Sequence, residues 1–353
     1  MSLKTQTGKI QHDGFEEIIL QNCGFYRPEV KAGPAFGVDV AVVDLPNGMG
    51  MALTSDPLSL IPSLGLQESA WLSVHLMAND MATTGFAPMY GQFVLNLPAQ
   101  FSHDDFQIYW QYIHKFCKEI GVAITGGHTG FIEGQNSTIA GGGTMITIAP
   151  KDQILTSKNA KPGNVLIATK QAAISSSAIL AMSFPETIKQ KLGKETHKKG
   201  CELFYTTSSL KDALIAVGDD KMNNRITAMH DVTEGGILGA VYEMAVASGN
   251  GVIVQNDNLL IGETQQQICD LFSIDPRYCI GAGSMLIAVE KGFEKQLINR
   301  LKSENIEAAI IGAFTEKENG MYIIENEIKK PLVYITKDPY WDAFFNALKL
   351  GWK

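Results

Sequence analysis

Between Trp71 and Met81, apolar residues recur at helical spacing: Trp71, Leu72, Val74, Leu76, Met77 and Met81. Asn79 and Asp80 are set among them. The period predicts a helix over 67–85 with two polar residues inside an otherwise apolar element. Ahead of it, apolar runs at 38–45 and 50–55 flank Pro46-Asn47-Gly48, which predicts a hairpin. A strand is expected over 89–97, ending at Pro98. A helix follows over 104–120, with Phe106, Tyr109, Trp110, Ile113 and Phe116 inward, Ser102 or Asp104 as cap and Gly121 as stop. A strand at 122–125 runs into Gly126-Gly127-His128-Thr129, and another at 138–149 is broken by Gly141-Gly142-Gly143. The polar, apolar-poor stretch 150–163 reads as a boundary. After it the pattern restarts, with strands at 164–169, 226–229, 251–254, 284–290 and 308–314. Helices alternate with them at 175–183, 208–217, 235–248, 263–272 and 292–303. Mixed strands and helices with hairpins predict an α+β fold, or α/β with mixed sheets, in two domains, 1–150 and 151–353. No repeat of 20–50 residues is present.

Length and composition agree with two domains: 353 residues, 45% hydrophobic, 19% charged. The formal net charge is −8 with no Lys/Arg block, which excludes nucleic acid and anionic membrane as main partners. An anionic small substrate would need a metal ion or backbone amides to offset that charge. The five cysteines are scattered with no C-x-x-C, so free thiols of a reducing compartment are expected. No apolar run approaches about 18 residues, and the N-terminus is polar with no signal-peptide pattern. A cytoplasmic chain is expected.

Chemistry enters with the acids. A carboxylate and a carboxamide inside an apolar helix cost free energy unless something offsets their desolvation. Asp56 closes the run GMALTSD and Asp39 opens GVDVAVV. Acids at element ends fit a hard-cation site; they fit separate capping or surface acids about as well. In Gly126-Gly127-His128-Thr129 the glycines either let backbone approach a ligand or supply a turn. His128 has three open readings: metal ligand, proton carrier or hydrogen-bonding loop residue. Asp231-Val232-Thr233-Glu234-Gly235-Gly236 precedes a helix whose first amides are either capped or a ready anion site. Neither a Walker sequence nor a G-x-S-x-G elbow occurs.

In order along the chain, GVDVAVV (37–43), LTSD (53–56), VHLMANDMATTGFAP (74–88), GGHTG (126–130) and DVTEGGILGAVYEMAVASG (231–249) resemble the PurM-like superfamily of aminoimidazole ribonucleotide synthetase. With ICDLFSIDP (268–276) and GSMLIAV (283–289), the likeness is nearest the HypE-like branch. The resemblance implies a two-domain fold in which N-terminal sheets of two subunits form a shared barrel and a C-terminal α+β domain closes over a cleft. It implies ATP and magnesium as cofactors, a homodimer, a small-molecule substrate and, for this branch, a maturation-protein partner. Carried over by position, it implies Asp39, Asp56, Asn79 and Asp80 at the metal, Gly126, Gly127, Thr129, Gly235 and Gly236 at the nucleotide, and His128 and Asp231 in catalysis. The implied activity is ATP-dependent activation of an amide-like or other small-molecule oxygen by phosphoryl transfer. The alternative is a non-catalytic nucleotide-binding or partner-binding protein of the same fold. Three departures bear on the choice. Val38 replaces the first acid of a paired-Asp strand, and His128 stands where a metal-binding acid is expected. The sequence also ends LKLGWK, its last cysteine being Cys279, whereas HypE proteins act on a C-terminal cysteine, so that chemistry on its own tail is not expected.

Overall fold

In the structure, a computed structural model, residues 8–10, 12–218 and 225–353 are described. Two sheets organise them. The N-terminal sheet comprises Val30–Ala32 (β1), Ala41–Asp44 (β2), Met49–Ser59 (β3), Tyr90–Pro98 (β4), Ala123–Ile132 (β5) and Ile139–Pro150 (β6), ordered β1-β2-β3-β6-β4-β5. A single turn, His12–Gly14 (α1), precedes it. Helices Leu66–Ala82 (α2) and His103–Glu119 (α3) cover one face. The expected hairpin is present: β2 pairs antiparallel with β3, Asp44 opposite Gly50, and Asn47 takes φ +61° in the turn.

The C-terminal sheet comprises Val165–Thr169 (β7), Ile226–Asp231 (β8), Gly251–Gln255 (β9), Met285–Val289 (β10), Ala308–Thr315 (β11), Met321–Glu325 (β12) and Ile328–Pro331 (β13), ordered β13-β12-β9-β11-β7-β10-β8. Its helices are Ile174–Ser183 (α4), Pro185–Leu192 (α5), Lys194–Glu202 (α6), Leu210–Val217 (α7), Gly236–Ser248 (α8), Glu263–Leu271 (α9), Glu294–Ser303 (α10) and Pro339–Lys349 (α11). The fold is mixed α+β, as the hydrophobic pattern predicts. Helices α5, α6 and α11 and the β12–β13 hairpin are additions to that pattern.

One apolar core spans both halves. Val74, Met77, Ala78 and Met81 of α2 pack with Leu210, Ala213, Met229, Ile287 and Leu297 of the C-terminal half. This burial is non-directional and proportional to area; it holds α2 as the element shared by both sheets, so the polar residues of α2 meet both.

The Gly126–Thr129 stretch is not a loop. It lies within β5, parallel to β4. Gly127 takes φ +145°, and a Cβ there would sit 1.8 Å from the Phe93 carbonyl oxygen. Its glycine is explained by close strand approach.

Candidate active site

Six segments deliver charged side chains to one cleft between the halves. Strand β3 alternates, so Thr54 and Asp56 share the face covered by α2. Asp80 in the last turns of α2 accepts from Thr54 Oγ1 through Oδ2 at 2.6 Å. Asp39 lies just before β2. His230 and Asp231 end the fully buried strand β8, and Glu243 is a lone acid in apolar α8. From the N-terminal segment, Lys9 crosses the cleft: its backbone N–H donates to Glu234 Oε2 and its Nζ to Thr233 Oγ1, both at 2.9 Å. Lys9 is exposed as a residue, and its ammonium is close enough to Glu243, Asp231, Asp39 and Asp80 for their charges to act on it.

A chain of polar contacts runs through His230. Nδ1 meets Asp39 Oδ2 at 2.6 Å and Ser157 Oγ at 3.2 Å; Nε2 meets Glu243 Oε2 at 3.2 Å. Tyr334 donates its hydroxyl to Glu243 Oε1 at 3.0 Å. Burial alone would lower the imidazole's pKa, but the Asp39 and Glu243 carboxylates hold it well above the ordinary histidine value. The same contacts keep Glu243 below its usual range despite burial.

For the remaining carboxylates the nearby cations and hydrogen bonds do not outweigh burial. Asp80 is pushed well above the usual carboxylate range, first by burial and then by the charges of Asp231, Asp56 and Asp39; the Thr54 bond only partly offsets this. Asp231 is pushed up to about 7 by burial and the Asp39 charge. Asp56 is raised to about 6, chiefly by burial. Lys9 is held above its ordinary value by Glu243, Asp231, Asp39 and Asp80, which outweigh the burial of its ammonium. Asp231 Oδ2 is buried with no hydrogen-bond partner. A buried, unsatisfied carboxylate oxygen beside two further acids is the donor set a hard cation takes, so the residues present fit magnesium. Ligand atoms of Asp39, His230 and Asp231 lie within 4.8 Å of one another.

The structure thus brings Asp39 and Asp231 together beside His230, with Asp80 and Asp56 near enough for their charges to act on this group. Other residues singled out in the sequence lie elsewhere. Asn79 is fully buried and turned to the C-terminal half: its Nδ2 donates to Thr207 O at 2.9 Å and its Oδ1 accepts from Ser209 N at 2.7 Å. Asn79→Ala should therefore cost stability, by about 1–3 kcal/mol for the stranded buried partners, and lower Tm without altering metal affinity. Calorimetric melts beside magnesium titrations would check this; lost metal binding at unchanged Tm would make Asn79 a ligand.

Gly235 and Gly236 do open α8, but its first amides are taken by protein groups: Gly235 N–H donates to Asp338 Oδ2 at 2.7 Å, and Gly236 N–H to Thr233 O at 3.2 Å. Gly126, Gly127, His128 and Thr129 lie on the edge strand. Asp56, Gly143, Phe93 and Gly127 are successive cross-strand partners, which puts Gly127 three strand spacings, roughly 14 Å, from Asp56. His128 pairs with Val94, on the face away from the helices. Strand parity separates His128 from the acids within one subunit.

Lys9, His230 and Glu243 were not signalled by the sequence reading. Glu243 carried the same signal as Asp80, an acid inside an apolar helix. His230 carried a weaker one, a histidine closing the apolar run ITAM. On the sheet face away from the helices, Ser55, Gln92, Gly142 and Thr144 line an open groove of about 420 Å³, which strand parity sets opposite the Thr54–Asp80 side. A larger cavity of about 580 Å³ surrounds Arg277, away from the acids. Its guanidinium is taken up by Asp275, Asn256 and Glu325.

Comparison with known proteins places this geometry in a family. Residues 37–149 match the AIR synthase related protein N-terminal domain, and residues 161–324 the AIR synthase related protein C-terminal domain. A putative hydrogenase expression/formation protein of Methanocaldococcus jannaschii is 26% identical over 264 residues, 74% of each chain. A selenide, water dikinase of Methanococcus maripaludis is 27% identical over 308 residues, 83% of this chain and 88% of that one. Among solved structures, a HypE–HypF complex superposes with TM-score 0.72 at 20% identity, over 91% of this chain and 99% of that one. A hydrogenase maturation protein HypE in complex with ATP superposes with TM-score 0.68 at 18% identity, over 93% and 96%. With both of its domains matched in order, the chain belongs to the AIR synthase related protein family.

Proposed function

We infer that this protein is an ATP-dependent enzyme that activates an amide-like or other small-molecule oxygen by phosphoryl transfer. The observation that carries the reading is the meeting of Asp39 from one half with Asp231 from the other, Asp231 Oδ2 being left unsatisfied and the charges of Asp80 and Asp56 acting on the same group. Asp39, Asp56, Asp80 and Asp231 would hold magnesium, which supplies charge stabilisation on the transferred phosphoryl group. Lys9, the cation facing these acids, would meet the nucleotide's phosphates. Cys279 does not serve as an internal acceptor, being buried with its thiol against Ser176 Oγ at 3.1 Å. The ATP-bound HypE relative supports the nucleotide, and the HypE–HypF pair supports a maturation-protein partner. Magnesium-stimulated ATP hydrolysis by the purified chain tests the reading. A second reading, a non-catalytic nucleotide- or partner-binding relative, draws on Asp338 occupying the Gly235 amide; ATP binding with no magnesium-stimulated turnover would favour it.

The chain would act as a homodimer. Helices cover one face of the N-terminal sheet, while Tyr90, Val94 and Ile148 are exposed on the other and β5 is an outer strand. Such a bare apolar face with an open edge favours pairing with a second copy, which would also put His128 against the partner. Light scattering should give twice the 38.4 kDa chain mass at micromolar protein; a monomer mass would overturn the dimer. Among the described residues no helix is long and apolar enough to cross a membrane.

A further inference from the structure

Two of the gathered carboxylates are each tied by one oxygen. Asp39 Oδ2 is 2.6 Å from His230 Nδ1, and Asp80 Oδ2 accepts from Thr54 Oγ1 at 2.6 Å. Each keeps one oxygen free of such a contact as the preferred ligand atom, the bonded oxygen being the poorer donor because one of its lone pairs is engaged. His230 is not itself available as a ligand, because its other nitrogen is 3.2 Å from Glu243 Oε2; both ring nitrogens are committed to carboxylates. Asp231 Oδ2, 2% exposed as a residue and unpartnered, is the independent sign that the cluster is built for a ligand.

We propose that Thr54 and His230 are positioning residues that hold Asp80 and Asp39 as one-oxygen ligands, and so make the site select Mg²⁺ or Mn²⁺ over Ca²⁺ and Zn²⁺. Calcium takes six to eight oxygens at longer range and commonly binds carboxylates through both oxygens; two of these carboxylates have one preferred oxygen each to give. Magnesium completes an octahedron with single carboxylate oxygens, waters and phosphates. Zinc favours nitrogen and sulfur, and the nearby imidazole nitrogens are taken. This rests on the metal–nucleotide reading above and adds the residues that set its selectivity.

The test is a calorimetric titration of the full chain, with a non-hydrolysable ATP analogue present, using Mg²⁺, Mn²⁺, Ca²⁺ and Zn²⁺ in turn. Water-proton relaxation of the Mn²⁺ complex counts bound waters. Wild type should prefer Mg²⁺ to Ca²⁺. Thr54→Val frees Asp80 Oδ2 at nearly constant volume and should narrow the Mg²⁺/Ca²⁺ preference about tenfold, the usual scale for an outer-shell partner. It should also lower the bound-water count on Mn²⁺ as Asp80 becomes two-oxygen. Thr54→Ser should restore both readouts. His230→Gln should act likewise through Asp39, and if it fails to fold the Thr54 pair still decides. Wild type that binds Mg-nucleotide, with an unchanged metal ratio and water count in folded Thr54→Val, would overturn the inference and leave the function reading standing. Wild type that binds no metal–nucleotide would overturn both.

Discussion

Asp80→Ala is expected to remove magnesium-dependent ATP binding while raising the melting temperature of the nucleotide-free protein. The two effects have one cause. Asp80 is driven well above the usual carboxylate range, by burial and by three neighbouring carboxylates. A group held so far from its solution state destabilises the empty fold and favours any cation that neutralises it. Removing it takes a ligand from the site and relieves Asp231 and Asp56 together. A loss of magnesium affinity of on the order of 100-fold, or about 2.7 kcal/mol, should accompany a higher apo Tm. Thr54 loses its acceptor in the variant, but its hydroxyl can turn elsewhere at modest cost. Titration calorimetry and scanning calorimetry on one preparation check both. Unchanged Mg-ATP binding would take Asp80 out of the site; lost binding with a large fall in Tm would make its role structural.

How much of this was legible in the sequence depends on whether the deciding contact was local. The polar interruption of α2 was readable because its apolar neighbours keep the helical period, and an acid among them needs a reason. Which of Asn79 and Asp80 faces the cleft was not readable: adjacent helical residues point about 100° apart, and the direction is set by Thr207 and Ser209, some 130 residues on. The glycines of β5 read as a turn because local chemistry cannot distinguish positive φ in a loop from close approach to a parallel strand. Only the Phe93 carbonyl distinguishes them. The β12–β13 hairpin was missed for a local reason. Its turn places Asn326 and Glu327 at φ +49° and +65°, and a glutamate in that region departs from the Asn-Gly signal. The tail 339–349 has a readable apolar stripe, but its docking is tertiary: Asp338 caps α11 at Tyr340 N–H and also takes the Gly235 amide. The anion site at α8 was sound as local chemistry and is used by the protein's own carboxylate. Lys9 carried no signal at all, being one lysine in a polar segment.

Magnesium affinity is expected to rise steeply with pH from about 5.5 upward, releasing one to two protons per cation. Burial raises Asp56 to about 6 and Asp231 to about 7, and drives Asp80 well above the usual carboxylate range. A cation must displace the protons these groups hold. Affinity should thus climb about ten- to a hundredfold over one pH unit. The stability of the empty protein should move the other way. Carboxylates whose folded pKa exceeds the unfolded value of about 3.9 bind more protons in the fold. Their contribution is present at low pH and is lost as pH rises through the folded values. His230, raised by Asp39 and Glu243, has the same sign: its contribution is full below about 6.5 and fades as pH approaches its raised value. Glu243, lowered, loses its contribution only below the carboxylate range and leaves this window unchanged. The cluster should therefore pull apo Tm down from pH 5 to 8, opposed below about 6.5 by His75, which burial lowers to about 4, and saturating Mg-ATP should remove the cluster's share. Asp231→Asn removes one of the displaced protons and should cut the slope of log affinity against pH by about one. A wild-type slope of zero, or an identical slope in Asp231→Asn, would mean that the cation does not bind where these carboxylates meet.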